Sequence, residues 1–345
     1  MIDLRTDTVT QPTAAMFTAM QTATQGDDSR DGDPTVIKLE ALAAARTGKE
    51  AGLYMPSGTM TNLVAVLAHT QRAGEVLLER GAHMLNTELG GLAAVAGVFY
   101  KGIPGTRGAM DETALREAVR PMTRNNFGTT LICMETTHNG AGGTVLPLAH
   151  MKMVHALAQQ NGIPVHTDGA RLFNATVALG VPAADIARHT DSVSFCVSKG
   201  LSAPVGSVLC GSSAFIERAR PFRRMVGGNM RQAGSIAAAG IVALETMMDR
   251  LKEDHASAKK LAGGFHAIDA SLADPADVET NIVRVNVRAS GRSAAQWAEA
   301  FKLHGIAVSP ADSASLRFVT HRHISNADVE TAVTACRAIW SQQKK

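Results

Sequence analysis

The chain has 345 residues, 45% of them hydrophobic, which is enough to bury a substantial core and to build one large domain plus a smaller one. Basic and acidic residues nearly balance, 34 Lys and Arg against 31 Asp and Glu, and they are interspersed, so a nucleic-acid surface is not expected. No apolar run approaches the roughly 20 residues of a membrane helix, and the opening MIDLRTDTVT lacks the basic and apolar regions of a signal peptide. A cytoplasmic protein with no membrane partner is therefore expected.

From about residue 50 to 215, short apolar runs alternate with amphipathic ones. AGLYM, EVLLE, TTLICMETTH, IPVHTD, DSVSFCVS and VGSVLCG read as strands, and TMTNLVAVLAH, ETALREAVR and LAHMKMVHALAQQNG read as helices between them. Strands too apolar to face water, separated by helices, predict an α/β domain with a mainly parallel sheet covered on both faces. The basic run ERARPFRRM, Glu217 to Met225, has helical spacing and reads as a solvated helix face, with anion binding the sharper alternative. Next, RQAGSIAAAGIVALETMMDRLKEDHASAKKLAGGF predicts one long helix. NIVRVNVR, SAAQWAEAFKLHG, IAVSP, SLRFVTH and NADVETAVTACRAIWSQ then read as strand, helix, strand, strand, helix, a small α+β domain. The division expected is 1–255 for an N-terminal arm and large domain and 256–345 for the small one, with the border inside continuous helix. Cys133, Cys196, Cys210 and Cys336 lack CxxC or metal-ligand spacing and read as reduced core residues; no metal is expected.

In an open α/β sheet the ligand sits beyond the carboxyl ends of the strands, so polar residues that close apolar runs carry the functional information. Ser57, Gly58 and Thr59 follow AGLYM and open a helix, a pattern that suits an anion cradle and equally an ordinary helix N-cap. Asp168 closes IPVHTD, and a carboxylate buried there needs a partner: either Arg171 in a structural ion pair, or a protonated ring nitrogen, with Arg171 then left for a substrate carboxylate. Lys199 follows DSVSFCVS and is trailed by small residues, GLSAPVGS, that leave room for a bulky group. A phosphate cradle, an aspartate for a pyridinium and a strand-end lysine are together the parts a pyridoxal phosphate (PLP) site requires.

The motifs DLRTDTVTQPT, MPSGTMTN, ETTHNGAGGTVLPL, PVHTDGARLFNATVALGVP, SVSFCVSKGLSAPVGSVLCGS and GGNMRQAG closely resemble those of the L-threonine aldolases. That family belongs to the fold-type I PLP enzymes and to the β-eliminating-lyase group. The resemblance implies Lys199 as Schiff-base lysine, Asp168 at the pyridine nitrogen, and Ser57, Gly58 and Thr59 at the phosphate. It sets His83 against the cofactor ring near the reacting hydroxyl, with Glu88 close by. Arg171 and Arg317 would clamp the substrate carboxylate with Thr6, where the family usually has serine, and Arg231 would reach a neighbouring subunit's phosphate site in a homodimer or homotetramer. The implied reaction is retro-aldol cleavage of an L-3-hydroxy-α-amino acid to glycine and an aldehyde, with His83 or a water it orders as the base. β-Elimination or transamination on the same fold, and a non-catalytic binding protein, are the competing readings.

Two departures from the family fall at the expected substrate end. Asn126 stands where the family usually has histidine, and an amide cannot act as a base near neutral pH. Arg30, Asp31 and Gly32 stand where the family usually has tyrosine, glycine and glutamate. Arg30 is expected to meet an acidic or aromatic side chain of the substrate or, alternatively, to be solvated and paired with Asp31. A substrate other than threonine, such as phenylserine or 3-hydroxyaspartate, follows as an expectation.

Overall fold

A computed structural model describes residues 1–342 of the chain. It comprises two compact units: Gln11–Ala141 with Val145–Met248, and Met1–Thr10 with Gly142–Thr144 and the segment from Asp249 onward.

The larger unit is built on seven strands: β1 (Ala51–Met55), β2 (Glu75–Glu79), β3 (Phe99–Ile103), β4 (Thr129–Glu135), β5 (Val165–Asp168), β6 (Ser192–Cys196) and β7 (Ser207–Gly211). Their order across the sheet is β1-β7-β6-β5-β4-β2-β3. β7 runs antiparallel to both neighbours, and β3, β2, β4, β5 and β6 are parallel. All six apolar runs are strands of this sheet, because residues buried on both faces must be apolar almost throughout. β3 has no such signature in its sequence: it is an edge strand, and its Phe99 and Tyr100 are exposed.

Helices bury apolar stripes against this sheet. In helix Gly58–His69, Val64 and Ala65 pack with Leu53, Met55 and Leu209, and Val66 packs with Val76, Leu78 and Leu131. In place of one long helix, the structure has two, Gly234–Thr246 and Leu251–His266, interrupted at 247–250. The reason is visible in the sequence: Glu253 and Asp254 occupy a first helical turn, where the amide dipoles favour acids, and Arg250 donates to Asp254 at 2.5 and 3.0 Å.

The smaller unit carries a three-stranded antiparallel sheet, Ile282–Asn286, Ser315–Val319 and Ser309–Pro310, packed with helices Leu251–His266, Ala294–Leu303 and Asn326–Ser341. Its core includes Phe265, Trp297, Phe301 and Phe318. The N-terminal arm, assigned with the large domain from chain order, groups here by contact: Ile2–Asp3 pairs in parallel with Ile306–Ala307, and Val319 donates to the Leu4 carbonyl at 2.8 Å. Among the described residues no helix is long and apolar enough to cross a membrane.

Candidate active site

The carboxyl end of β1 runs through Pro56 into helix Gly58–His69. Ser57 is the N-cap, its Oγ accepting from the Met60 N–H at 3.2 Å, so the capping role open from the sequence is real. Ser57 and Thr59 are exposed beside the first amide groups of this twelve-residue helix, which leaves an anion-binding face in addition. Gly58 is required by closeness: a Cβ there would lie 2.9 Å from the Cys196 Sγ at the end of β6. The cradle is thereby drawn against the strand that leads to Lys199.

Lys199 lies three residues beyond β6, half-buried, in a turn closed by the Ser202 N–H on its carbonyl at 2.8 Å. The loop returns to β7 through Gly206, whose φ of +116° and close pass over the Tyr54 ring admit no side chain. Small residues after the lysine thus serve the tight return of the chain.

Asp168 ends β5, in register with Glu135 of β4 and Ser194 of β6, and is 3% exposed. Its Oδ1 accepts from the Ala170 N–H at 2.9 Å and its Oδ2 from Asn62 Nδ2 at 2.8 Å. Arg171, also buried, immediately precedes helix Leu172–Leu179.

His83 opens a short helix after β2, and its Nδ1 lies 2.8 Å from Glu88 Oε1, the oxygen that also accepts from Asn62 Nδ2 at 2.9 Å. The Glu88 bond is the main influence raising the His83 pKa, while burial pushes the Glu88 carboxyl upward. Donor atoms of His83, Glu88 and Asp168 all lie within 4.8 Å of one another. The Glu135 carboxylate, buried and raised by that burial, receives the His83 N–H at 2.6 Å and the Asn139 N–H at 2.7 Å. Three strand ends and one helix start therefore converge on a single cluster.

A family model described as beta-eliminating lyase matches residues 3–288. The chain is 41% identical to a probable low-specificity L-threonine aldolase 2 of Arabidopsis thaliana over 98% of its own length and 97% of that protein's. It is 38% identical to a low specificity L-threonine aldolase of Escherichia coli K12, over 99% and 100%. The chain belongs to the beta-eliminating lyases, in their L-threonine aldolase branch. The fold agrees: a threonine aldolase structure from Leishmania major superposes with a TM-score of 0.84 at 17% identity, covering 99% of this chain and 100% of that one. A solved structure of SPT with PLP superposes with a TM-score of 0.77 at 17% identity, covering 99% and 88%, and the architecture is that of the fold-type I PLP enzymes.

The other residues singled out for this aldolase-family chain have partners of their own. Asn126 precedes β4, at the amino end of a seven-residue strand that spans about 20 Å at roughly 3.3 Å per residue, whereas Glu135 and Asp168 are at carboxyl ends. Its Oδ1 accepts from the Gly128 N–H at 2.9 Å and so shapes its own turn. Within one chain Asn126 is thus not among the residues brought together. Arg30 is exposed and its ionic neighbour is Asp27, at 3.7 Å, in place of the expected Asp31. Arg231, also exposed, lies 3.3 Å from the same Asp27. In the smaller unit Thr6 Oγ1 accepts from the Thr8 N–H at 3.2 Å, and Arg317 donates to the Arg5 carbonyl beside it at 3.2 Å.

The basic run needs correcting at Arg223, which is 1% exposed and belongs to neither a solvated face nor a surface anion site. It donates to Asp28 at 2.6 Å, to Asn229 at 3.0 Å and to the Tyr54 carbonyl at 3.0 Å, tying the Arg30 loop to the Arg231 loop. Asn62 and Glu135 were not singled out in advance. Glu135 carried a usable signal, since it is a polar residue closing an apolar strand; Asn62, mid-helix within MPSGTMTN, carried none by itself.

Proposed function

We propose that the protein is a PLP-dependent aldehyde-lyase that cleaves an L-3-hydroxy-α-amino acid to glycine and an aldehyde. The observation that carries the proposal is the convergence of buried Asp168, the Asn62 bridge and the His83–Glu88 pair at the carboxyl ends of the sheet, with Lys199 beyond the next strand end. The donor set fits PLP: helix-start amides with Ser57 and Thr59 for the phosphate, Asp168 for the ring nitrogen and Lys199 for covalent attachment. Bound there, PLP supplies the electron sink for cleavage of the Cα–Cβ bond.

The chain's own side chains do the rest. Glu88 accepts the Nδ1 proton of His83, which fixes the ring and turns Nε2 into the basic nitrogen. His83 Nε2, directly or through a water, takes the proton of the substrate β-hydroxyl. Arg171 holds the substrate carboxylate. Arg231, exposed and lightly held, serves the phosphate site of a second copy in a homodimer or homotetramer, and Asn126 contributes to a substrate site only from such a copy. The location is cytoplasmic.

The test is incubation of the PLP-loaded protein with threonine, allo-threonine, phenylserine and 3-hydroxyaspartate. Glycine in equal amount to aldehyde is expected. Ammonia with a 2-oxo acid would instead establish β-elimination.

A further inference from the structure

Buried strands of an α/β sheet are normally apolar, yet β5 and β6 carry polar residues at period two on one face: His166 and Asp168, Ser192 and Ser194. Helix Gly58–His69 turns Asn62 and His69, seven residues and about two turns apart, toward the same strands. All of these except the partly buried His69 are at most 3% exposed. Buried polar groups persist when each has a partner, and here the partners are one another.

The direction of every bond in this seam follows from donor chemistry. Asn62 Oδ1 can only accept, and it faces His166 Nε2 at 3.3 Å and Ser194 Oγ at 3.1 Å, so His166 carries its proton on Nε2. Burial drives His166 down to about 4, leaving it neutral, so Nδ1 is an acceptor and the Ser192 hydroxyl, 2.8 Å away, donates to it. Ser192 Oγ must then accept from His69 Nε2 at 2.7 Å. At the other end Asn62 Nδ2 donates to Asp168 Oδ2 and to Glu88 Oε1. Each link from His69 through Ser192, His166 and Asn62 donates toward Asp168. His69 anchors the far end, stacked on Phe215 with centroids 4.2 Å apart and bordering a cavity of about 530 Å³ at the amino ends of β4 and β5.

We propose that this one-way donor chain is a positioning device for the cofactor, in which Asn62 and, behind it, His166 hold the Asp168 carboxylate in place toward the PLP ring nitrogen. The physical basis is alignment: aligned hydrogen-bond dipoles in a low-dielectric interior reinforce one another, and this series ends with its positive end on the Asp168 and Glu88 carboxylates. Asn62 is the junction. Its single amide serves both the ring-nitrogen partner and the orienter of His83, which couples cofactor binding to the base. The inference rests on the PLP reading above.

The test measures PLP affinity by titrating apoprotein and following the visible absorbance of bound cofactor, beside the thermal unfolding of each apoprotein. Asn62→Leu removes donors to a charged acceptor, and a loss of PLP affinity of about 10- to 150-fold is expected. His166→Phe removes a neutral bond one step back, for about 2- to 10-fold, and Ser192→Ala, a further step back, less than about 2-fold. His166→Gln, whose amide can donate to Asn62 and accept from Ser192, is expected to restore most of the affinity lost in His166→Phe. A graded loss along the chain, with rescue by glutamine and without parallel change in apoprotein unfolding temperature, supports the proposal. Losses that instead track apoprotein stability, or full-affinity binding by Asn62→Leu and His166→Phe, overturn it while leaving the PLP reading intact. A wild-type apoprotein that binds no PLP overturns both.

Discussion

The strand-end cluster and the loops that carry Arg30, Asn126 and Arg231 are held by different kinds of contact. Asp168, Glu88, Glu135 and Asn62 are buried or nearly so, and each is tied by two or more bonds, at least one of them to a residue on another element. Arg30 and Arg231 share the half-buried Asp27 carboxylate, and Asn126 bonds within its own turn. Rigid elements hold groups to the tolerance that cofactor chemistry needs, while loops tolerate exchange. Variation at the loops should therefore alter which substrate is used, and variation in the cluster should alter whether the chemistry happens at all.

The largest expected effect is at the covalent position. Lys199→Ala should lower glycine formation by at least about 10³-fold, as removal of a covalent catalytic group does. Residual activity within tenfold of wild type would make Lys199 an ordinary surface lysine and end the distinction between cluster and loops. Arg223 comes next, because it ties the Arg30 and Arg231 loops to each other and to the backbone of β1. Arg223→Ala strands the Asp28 carboxylate and should cost about 3 to 5 kcal/mol in urea unfolding, the usual penalty for breaking a buried pair. A cost below about 1 kcal/mol would return this run to the surface face its spacing suggests.

Arg171→Ala should lower kcat/KM by about 10- to 150-fold through loss of one charge-assisted bond to the substrate carboxylate, with PLP affinity retained. Release of PLP instead would assign Arg171 to holding the cofactor site together. The Glu88→Gln effect is a displacement along the pH axis. Glu88 raises the His83 pKa, so the unprotonated base appears only above that raised value and the acid limb of kcat/KM is moved to higher pH. Removing the carboxylate should bring that limb to lower pH. A limb that stays put would mean that a group other than His83 accepts the proton.

Legibility in the sequence followed burial. The six apolar runs were readable because a strand covered on both faces has little freedom of composition, whereas edge strand β3 exposes Phe99 and Tyr100 and obeys no such constraint. Lys199 and Asp168 stood out because each closes or follows a strand, whereas His83 and Glu88 came from the family resemblance alone. The resemblance to a known family then supplied their roles. Asn62 was invisible for the opposite reason: an asparagine mid-helix has no period of its own, and its importance lies in which strand residues it meets. Helical spacing in ERARPFRRM correctly indicated a helix but not that Arg223 turns inward, since a charged residue reads as exposed until its buried partner Asp28 is known. Strand direction separates Asn126 from the cluster, and direction emerges only once the strands are ordered.

The smallest effect is expected from the two loop departures taken together. Arg30 is 79% exposed with its nearest acid at 3.7 Å, and an exposed ion pair of this kind is worth about 1 kcal/mol or less. Asn126 spends its carbonyl on its own turn, so histidine there gains a base without dismantling a pocket. Wild type is expected to favour phenylserine or 3-hydroxyaspartate over threonine, which follows from the proposal that the loops departing from the family reach a substrate site in the assembled protein. Asn126→His with Arg30→Tyr should then move the kcat/KM ratio toward threonine by about 5-fold for each exposed contact changed, with PLP affinity untouched. The measurement is that ratio in wild type and in the double variant, for threonine against each of the other two substrates. Unmoved ratios would make both positions neutral. A shift beyond about 100-fold is larger than exposed contacts supply, and would mean that in the assembled protein these loops close on the substrate as tightly as the strand ends close on the cofactor.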